Sequence, residues 1–511
     1  MQHETIVGVD IGTTSTKAVA FSTAGRLLFQ TSVEYPIYSK QPGFAEQDPD
    51  LVYKAVLQTL RTIVQKLQQA NYSLIGVSFS SAMHSLIVLD ANYNLLTNCI
   101  IWADTRSKKQ AEQLKQSTTG HSIYLHTGTP QHPMSVLPKL IWLREQQPEL
   151  FAKAAMFIGI KEYVWYKLFG EFVVDHSVAS ATGLFNIFDL DWHNDSLDLA
   201  SITPAQLSRP VPATYSNYKP EATVASQLNL PENTPFIVGA NDGCLANLGA
   251  NALADGHVAV TIGTSGAVRV MARKPVTDLQ QRLFSYVLLP DYYVLGGAVN
   301  NGGVVLQWFR DTFYSSEAVA AKMEQADLYE LLCQQASTVP AGADGLLFLP
   351  YLLGERAPVW DAGARACFIG MQLNHSRAHF IRAVLEGITY NLYSVANALE
   401  QVTGPISKVY ANGGFARSPF WVQLLADVFN KEVHLAETYD GSAFGAAILG
   451  LFALGRIEKL EDAASLVTVA RTYAPHPDNH NRYQQQYRIF EALYPKLQST
   501  FQELGNTEEE P

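Results

Sequence analysis

The sequence lacks several features that mark common classes of protein. The dipeptide Gly-Lys occurs nowhere in its 511 residues, so an ordinary P-loop, which needs Gly-Lys-Ser or Gly-Lys-Thr at the start of a helix, is excluded. Lys and Arg form no cluster, and the formal net charge of -11 argues against a nucleic-acid partner. An anionic ligand would therefore have to be held by local hydrogen-bond donors.

Cysteines and long apolar runs are also scarce. The four cysteines are widely scattered, with neither metal-ligand nor redox spacing: Cys99, Cys244, Cys333 and Cys367. The apolar stretch from Leu346 to Leu353 is interrupted by Pro350 and is too short to span a bilayer, and no cationic and apolar leader precedes Ile6. We expect a soluble, unexported cytoplasmic protein with reduced thiols and no membrane partner.

The chain is long and apolar enough, at 47 % hydrophobic residues, to fold as more than one domain. Helical patterns such as Pro49 to Gln69 alternate with apolar strands such as Leu74 to Phe79, which predicts an α/β fold. A second helix, Ala378 to Leu399, carries apolar residues on one face. We expect two similar lobes, residues 1–243 and 244–455, followed by a helical extension with an acidic tail, residues 456–511.

A turn rich in glycine and hydroxyl groups follows the first apolar strand. This turn, Asp10 to Ser15, lies between the apolar runs Ile6 to Val9 and Lys17 to Phe21, which predicts a β-hairpin. Gly12 lets the backbone approach an anion, and successive N–H groups can form a nest. Hydroxyl donors are added by Thr13, Thr14 and Ser15. The pattern predicts a phosphate-binding turn.

A second turn of the same kind, Thr261 to Ser265, lies between the strand His257 to Val260 and the run Ala267 to Met271. Thr261 replaces Asp10 of the first turn, so only the first turn can offer a carboxylate to a cation. Either turn alone could be an ordinary hairpin. Two of them in matched contexts suggest two lobes that close on one phosphate chain.

Further motifs accompany the two turns: Met83-His84, Trp102 to Arg106, Gly239 to Gly243, Ala366 to Glu386, and Gly413 to Phe415. With these motifs the chain resembles the FGGY family of carbohydrate kinases over nearly its whole length. The signature around Lys139 is met only in part, because Val136 stands where Pro, Ser or Thr is usual. The resemblance implies two actin-like, ribonuclease H-like lobes with an ATP and sugar cleft between them.

The resemblance also implies the chemistry of individual residues. Asp242 is the expected general base, since phosphorylating an alcohol needs a carboxylate near the hydroxyl group; by itself, Asn-Asp-Gly is an ordinary turn signal. Asp10 would hold Mg²⁺, through water, or would simply cap its turn. Lys17 would reach the β- or γ-phosphate, or would be an exposed strand lysine.

Two sets of ligand-binding residues follow from the same resemblance. ATP would be bound by Gly12, Thr13, Thr14, Ser15, Lys17, Gly263, Thr264, Ser265, Gly303, Gln307, Gly413, Gly414 and Ser418. The sugar would be bound by Met83, His84, Asp104, Arg106, His132, Asn241 and Asp242. Arg106 could pair with a substrate carboxylate or form an ion pair with Asp104. Glu355-Arg356 also fits the family pattern, with a buried ion pair as its simplest interpretation.

The segment Thr127 to Met134 resembles gluconate kinases of the family more closely than xylulose, ribulose or glycerol kinases, although His132 could simply pack in a proline-fixed loop. We therefore expect transfer of the γ-phosphate of Mg-ATP to the C6 hydroxyl of D-gluconate, which gives 6-phosphogluconate. The open alternatives are a xylulose kinase or another FGGY sugar or polyol kinase, and an actin- or Hsp70-like ATPase. A catalytically dead sugar sensor is disfavoured because Asp10, Gly12 and Asp242 are present. A homodimer is also left open.

Overall fold

The structure, a computed structural model, describes residues 3–231, 233–314, 327–436 and 441–509. The chain divides into two compact units. Unit 1 comprises residues 1–254, 271–295 and 440–468, and unit 2 comprises residues 255–270, 296–439 and 469–511. Each unit combines a mixed β-sheet with helices, which confirms the predicted α/β class.

The strands of the described chain are, in order, β1 His3–Ile11, β2 Ser15–Ser22, β3 Leu27–Glu34, β4 Glu46–Gln47, β5 Tyr72–Ser81, β6 Ile87–Leu89, β7 Cys99–Ile100, β8 Met156–Ile158, β9 Val173–Asp175, β10 Phe185–Asn186, β11 Asp191–Trp192, β12 Arg209–Val211, β13 Ser216–Asn217, β14 Phe236–Asn241, β15 His257–Ile262, β16 Gly266–Ala272, β17 Phe284–Leu289, β18 Tyr292–Val299, β19 Leu347–Leu349, β20 Cys367–Ile369, β21 Lys408–Asn412, β22 Val433–Ala436 and β23 Val469–Tyr473.

The α-helices are α1 Pro49–Gln69, α2 Lys108–Gln116, α3 Thr118–Thr127, α4 Val136–Gln146, α5 Pro148–Lys153, α6 Ile160–Phe169, α7 His176–Ser180, α8 Asn194–Ala200, α9 Ala222–Leu228, α10 Asp242–Gly249, α11 Gly303–Phe313, α12 Leu328–Ser337, α13 Arg377–Thr403, α14 Pro419–Phe429, α15 Gly441–Ala453, α16 Pro477–Glu491 and α17 Leu493–Glu509. Short 3₁₀ helices lie at Pro204–Gln206, Ala343–Gly345, Gly414–Arg417 and Leu460–Leu466.

The sheet of unit 1 has the strand order β13-β14-β5-β1-β2-β3. Its three central strands, β14, β5 and β1, are parallel, whereas β2 and β3 continue as antiparallel neighbours. The predicted hairpin is therefore present as β1 and β2. Parallel strands end at the same edge of a sheet, so the residues that follow β1, β5 and β14 are brought together there.

Helix α1 shows how the local sequence sets its limits. The side chain of Asp48 accepts hydrogen bonds from the backbone N–H groups of Asp50 (2.9 Å) and Leu51 (3.4 Å), and Pro49 occupies the first position of the helix. Its apolar face is buried in the core of unit 1. The helix begins and ends at the residues predicted from the sequence.

Helix α15 lies late in the chain but belongs to unit 1, where it packs against β1, β5 and α10. A Cβ atom on Gly8 would lie 2.0 Å from the carbonyl oxygen of Ala443, and one on Gly445 would lie 1.9 Å from that of Leu245. Only glycine allows contacts this close. This packing is one reason why the compact units differ from the three contiguous ranges expected from the sequence.

In unit 2, the strands that lie wholly or partly within it have the order β18-β16-β15-β21-β22-β23. β15 and β16 form the second predicted hairpin, and β21 and β22 are parallel to β15. Helix α13, predicted as Ala378 to Leu399, spans Arg377–Thr403. Its predicted core face is buried: Ile381, Val384, Leu385, Ile388, Leu392 and Val395.

The last part of the chain contains a strand as well as helices. β23 pairs with β22, and α16 and α17 follow it. Glu510 and Pro511 of the predicted acidic tail lie outside the described residues. The four cysteines are free thiols, as expected. Within the described ranges, no helix is long and apolar enough to cross a membrane.

Candidate active site

The first phosphate turn is fixed by side chains from neighbouring segments. The Tyr35 hydroxyl donates to the carbonyl oxygen of Gly12 (2.7 Å), and the Gln47 amide donates to that of Thr13. The indole Nε1 of Trp102 donates to the Thr13 hydroxyl (2.9 Å). Burial raises the pKa of the Tyr35 phenol, so it stays protonated as a donor. Because these bonds use the oxygen atoms, the turn can present N–H groups to an anion.

Asp10 lies near the end of β1, beside the first turn. It is aligned with Lys17 on β2 and with Ser80 on β5, so these side chains share one face of the sheet. The Ser80 hydroxyl donates to Asp10 Oδ1 (2.6 Å), which fixes the carboxylate. Within the described residues, no group of three or more His, Cys, Asp or Glu side chains could form a metal site. One carboxylate is what Mg²⁺ needs when phosphate oxygens supply other ligands.

Asp242 is the first residue of α10, directly after β14, as predicted for a strand-to-helix turn. Asn241, which aligns with Ser81 of β5, caps the helix because its Oδ1 accepts from the N–H of Cys244 (2.7 Å). Asp242 Oδ1 accepts from the N–H of Gly243 (2.7 Å). Since Asp242 is only partly buried, its carboxylate can meet a ligand at the edge of the sheet where Asp10 lies.

Asn241 has a structural role in addition to its predicted contact with the sugar. It is fully buried, and its Nδ2 donates to the carbonyl oxygen of Ser177 in α7 (3.0 Å). Its backbone N–H also donates to the Ser177 hydroxyl (3.1 Å). These contacts hold the start of α10, and therefore Asp242, against α7. A direct contact between Asn241 and the sugar stays a prediction.

His84 follows β5 and adopts a left-handed backbone conformation, with φ +66. Its Nδ1 lies 2.7 Å from the carbonyl oxygen of Ala181, which can only accept, so Nδ1 carries the proton. Nε2 of a neutral ring is then an acceptor, and the Tyr286 hydroxyl lies 3.4 Å from it. Positive φ is uncommon in residues other than glycine, although His adopts it more readily than most. The partly buried Met83 precedes it.

The loop Thr127 to Met134 lies against the same segment at the end of α7. The Thr129 hydroxyl donates to the carbonyl oxygen of Ser180 (2.7 Å), one residue before the His84 acceptor. Nδ1 of His132 accepts from the backbone N–H of Met134 (3.2 Å), so a neutral His132 carries its proton on Nε2. Helix α7 thus connects the segments that carry Asp242, His84 and His132.

Asp104 and Arg106, which were predicted to bind the sugar, form the ion pair that the sequence left open as the alternative. Asp104 is 0 % exposed, and its two oxygens accept from Arg106 Nε (2.8 Å) and Nη2 (2.7 Å) and from the N–H of Ala45 (2.7 Å). Arg106 Nη2 also contacts Glu46 (2.6 Å), and the guanidinium lies 3.7 Å from the centre of the Phe44 ring. A guanidinium paired with two carboxylates inside the protein does not present its fork to a substrate.

The buried ion pair instead fixes the segment that holds the first phosphate turn. Asp104 and Arg106 bind Ala45 and Glu46, and the next residue, Gln47, bonds to Thr13. Sequence reasoning noted both interpretations of Arg106 but missed Gln47 and Tyr35. A lone Gln or Tyr gives no sequence signal, because its role depends on a contact across the fold.

The second phosphate turn, in unit 2, is held by backbone groups. The first two N–H groups of α11, from Gly303 and Val304, donate to the carbonyl oxygens of Gly263 (2.7 Å) and Thr264 (3.0 Å). A Cβ atom on Gly303 would lie 2.7 Å from Gly263 O. The positive end of a helix therefore lies directly beside the turn, which favours a bound phosphate.

A cavity of about 460 Å³ opens beside this turn, entirely within unit 2. Six of the residues predicted to bind ATP line it: Gly263, Thr264, Gly303, Gln307, Gly414 and Ser418. Gly413 is a framework residue, because its φ is +102 and a Cβ atom there would lie 2.4 Å from Ile262 O. A Cβ atom on Gly414 would meet nothing within 4 Å, as expected where glycine leaves space for a ligand.

Another wall of the cavity was not predicted. It comes from α12 and the residue before it, and includes Asp327, Tyr329, Glu330 and Cys333. The guanidinium of Arg310 lies 4.8 Å from the centre of the Tyr329 ring. These side chains add carboxylate, aromatic and thiol groups to the site.

Glu355 has a clear structural function. Its carboxylate is fully buried and accepts from the N–H groups of Asn300 (2.5 Å) and Arg356 (2.8 Å) and from the amides of Asn301 (3.0 Å) and Asn391 (2.7 Å). Burial raises the pKa of this carboxyl, and hydrogen bonds oppose the shift. Asn300 and Asn301 lead directly into α11, so Glu355 positions the helix end beside the second phosphate turn.

Comparison with known proteins shows the family of this chain. The N-terminal domain of the FGGY family of carbohydrate kinases matches residues 5–249, and the C-terminal domain matches residues 258–454. The chain belongs to the FGGY family of carbohydrate kinases.

Individual relatives of this FGGY kinase differ in substrate. The gluconokinase of Bacillus licheniformis is 45 % identical over 98 % of both chains. The solved structure of a ligand-bound xylulose kinase from Lactobacillus acidophilus has a TM-score of 0.93 at 35 % identity, covering 98 % of this chain and 100 % of that one. That of a gluconate kinase from the same organism also has a TM-score of 0.93, at 34 % identity with the same coverage.

Family membership confirms the predicted actin-like, ribonuclease H-like fold and the class of reaction. This FGGY kinase is a phosphotransferase that uses ATP as the phosphate donor and an alcohol group as the acceptor. Solved structures with equal TM-scores are gluconate and xylulose kinases, so the fold alone does not choose between these acceptors.

Proposed function

We propose that this FGGY kinase phosphorylates the C6 hydroxyl of D-gluconate, with Mg-ATP as the donor and 6-phosphogluconate as the product. The observation that carries this choice is the 45 % identity with the gluconokinase of Bacillus licheniformis over 98 % of both chains. The xylulose kinase structure reaches 35 % identity. A cytoplasmic location is part of this proposal, because the reaction consumes ATP.

In this proposal Asp242 is the general base. Its Oδ1 accepts from the N–H of Gly243, which holds the carboxylate in one orientation at the edge of the sheet. The carboxylate would orient the attacking hydroxyl group and accept its proton as the bond to phosphorus forms. Asp10, held by the Ser80 hydroxyl, would bind Mg²⁺, which would neutralise charge on the phosphates.

The donor nucleotide would occupy the 460 Å³ cavity of unit 2, with its phosphates near Gly263 and Thr264. N–H groups at the start of α11 lie beside these residues, so the helix dipole would stabilise the phosphate charge. Lys17 and the first turn would contact the transferred phosphate. Phosphoryl transfer depends mainly on such positioning and on electrostatic stabilisation.

Gluconate, unlike xylulose, carries a carboxylate, and the ion pairs of Arg106 with Glu46 and Asp104 favour another residue for binding it. His132 fits, because Met134 occupies Nδ1 and a neutral ring then carries an N–H on Nε2. Its loop is attached to Ser180, next to the carbonyl group that holds His84. We infer that His132 Nε2 donates to the acceptor substrate.

The decisive experiment measures ADP release by the purified protein with Mg-ATP and D-gluconate, D-xylulose, L-ribulose, glycerol or no sugar. Stimulation by gluconate alone is the expected result. Stimulation by another sugar would retain the kinase and reject the gluconate assignment. Equal turnover with no sugar would reject the proposal in favour of an ATPase.

The role of His132 is tested with His132→Asn. The Asn amide oxygen can take the place of Nδ1 and keep the bond from Met134, while the donor at Nε2 is lost. We expect KM for gluconate to rise by about tenfold, as for loss of one hydrogen bond to a charged group, with KM for ATP unchanged. His126, exposed on α3, is the control: His126→Asn should leave both KM values unchanged. An unchanged gluconate KM in His132→Asn would remove His132 from the site.

A further inference from the structure

Lys139 is an unusual residue, because its side chain is 0 % exposed. It lies on α4, in the signature that the sequence matches only in part. Its ammonium group donates to the carbonyl oxygens of His84 (2.6 Å) and Ile101 (2.8 Å), with a longer contact to Ile100 (3.5 Å). A buried charge with three backbone acceptors is a costly arrangement and indicates a specific role.

The acceptors belong to two segments of the candidate site. His84 carries the imidazole that faces Tyr286, and its left-handed conformation turns its carbonyl group toward Lys139. Ile101 precedes Trp102, whose indole holds the first phosphate turn. One ammonium group therefore joins the predicted sugar-contacting turn to the segment that fixes the phosphate turn.

Charged and titratable groups surround this ammonium. Burial lowers the pKa of Lys139 to about 7, while the negative charge of Asp104 opposes the shift. The positive charge of Arg106, which is paired with Asp104, also lowers the pKa of Lys139. Burial raises the pKa of the Cys99 thiol to about 12, so Cys99 stays neutral near pH 7. Glu46 pairs with Arg106 in the same cluster, and the ring of His84, whose carbonyl oxygen accepts from Lys139, donates from Nδ1 to Ala181.

We propose that Lys139 is a positioning residue for the acceptor substrate. Through its bonds to two carbonyl groups, Lys139 fixes the position of Met83-His84 relative to Trp102. This inference rests on the proposed kinase function and on the predicted contact of His84 with the sugar. Lys139 itself is buried behind these residues and does not touch the substrate.

The chain offers a matched comparison in Lys161, a second buried lysine. Its ammonium pairs with Asp175 (2.6 Å) and donates to the carbonyl oxygen of Ala240 (3.1 Å), two residues before Asp242. Lys139 thus supports the histidine side of the site, whereas Lys161 supports the end of β14, directly before the proposed base. The same substitution should affect different kinetic constants at the two positions.

The test measures kcat, both KM values and thermal stability for Lys139→Met and Lys161→Met. Lys139→Met should raise KM for gluconate by about tenfold or more, with KM for ATP within about twofold of wild type. Lys161→Met should mainly lower kcat, because it disturbs the strand end before Asp242. Equal, unspecific losses in both variants would reduce Lys139 to a structural residue and overturn the proposal.

A pH profile of the wild-type protein tests the idea even if Lys139→Met fails to fold. Loss of the proton replaces charge-assisted hydrogen bonds by weaker neutral ones and leaves the amine lone pair facing one of the three carbonyl oxygens, so it should loosen the His84 turn. The pKa of Lys139 is near 7, so the lysine loses its proton as the pH increases from about 6.5 to 9. Over this range the ratio of KM for gluconate to KM for ATP should rise. A flat ratio of the two KM values would contradict the proposal.

The wild-type sugar panel separates failure of this inference from failure of the function. If gluconate does not stimulate ADP release but another sugar does, the same KM comparison is made with that sugar. If no sugar stimulates turnover, the kinase proposal fails and Lys139 has no acceptor to position. If gluconate stimulates turnover and Lys139→Met keeps a normal KM, only the inference fails.

Discussion

The two phosphate turns share a hairpin frame but are fixed by different means. The first turn is held by side chains that come from three other segments, Tyr35, Gln47 and Trp102. The second is held by backbone N–H groups of α11, and its close packing requires Gly303. Mutations should therefore act on the first turn through distant side chains, and on the second through glycines beside it.

Carboxylates mark the other difference between the two regions. Asp10 lies in the frame of the first turn, and Asp242 follows β14, which is separated from β1 by β5 in the same sheet. Thr261 occupies the equivalent position in the second turn. The first region can thus provide a base and a metal ligand, whereas the second provides a cavity and a helix end. We expect substitutions in the first to affect kcat and those in the second to affect nucleotide binding.

The largest effect is expected for Asp242→Asn. The amide oxygen can still accept from Gly243, so the turn should be retained while the base is lost. We predict that kcat falls by roughly two to four orders of magnitude, the range typical of acid–base groups, with ATP affinity unchanged. Steady-state ADP release and calorimetric ATP binding measure the two quantities. Near-normal kcat would exclude Asp242 as the base and remove the proposed division between the regions.

A smaller effect is expected for Asp10→Asn. The Ser80 hydroxyl can still donate to the amide oxygen, but the negative charge that would attract Mg²⁺ is lost. We predict a fall in kcat of about tenfold to a hundredfold and a higher Mg²⁺ requirement. A magnesium titration of activity checks this, with Thr261→Ser in the second turn as the control. An unchanged Mg²⁺ requirement would show that the carboxylate does not bind the metal.

Two adjacent glycines test the second region. Gly413→Ala should destabilise unit 2 by about 1–3 kcal/mol, because φ is +102 and the new Cβ atom would meet Ile262 O. Gly414→Ala should leave the melting temperature unchanged, since its Cβ atom meets nothing, but should weaken ATP binding. Thermal melts with and without ATP separate the two effects. Equal melting temperatures for both variants would refute the assignment of Gly413 to the framework.

The smallest effect is expected for Trp102→Phe. This substitution keeps most of the aromatic surface but removes the N–H donor to the Thr13 hydroxyl. The loss of one hydrogen bond should cost about 1 kcal/mol, which corresponds to a change of about fivefold in kcat/KM. Kinetic assays over a range of ATP concentrations measure it. A loss as large as that of Asp242→Asn would mean that Trp102 does more than hold the turn.

Local patterns predicted much of the fold and part of the candidate site. The two hairpins, the limits of α1 and the buried face of α13 followed from apolar periodicity and turn residues. These features depend on neighbours in the sequence, and so the sequence contains their signal. The residues expected to bind ATP came instead from the resemblance to the FGGY family, and six of the eight in unit 2 line one cavity.

Features that depend on distant contacts were missed or misassigned. The sequence left open whether Arg106 binds the substrate or pairs with Asp104, and it gave no sign of the partner Glu46, which lies sixty residues away. The functions of Lys139 and Glu355 likewise depend on backbone groups that only the fold brings near. Helix α15 joins unit 1 from near the end of the chain. Spacing in a single sequence does not report such pairings.

The position of α15 also has a consequence for the order in which the protein can be made. A ribosome synthesises β1 and β5 long before Gly441–Ala453, the helix that packs against them. The sheet that contains Asp10 and leads into Asp242 is packed against α15 on one face. That face therefore stays uncovered until almost the whole chain has been synthesised. A fragment that stops at residue 254 should expose apolar surface and require chaperones, because its missing core helix is encoded nearly two hundred residues later.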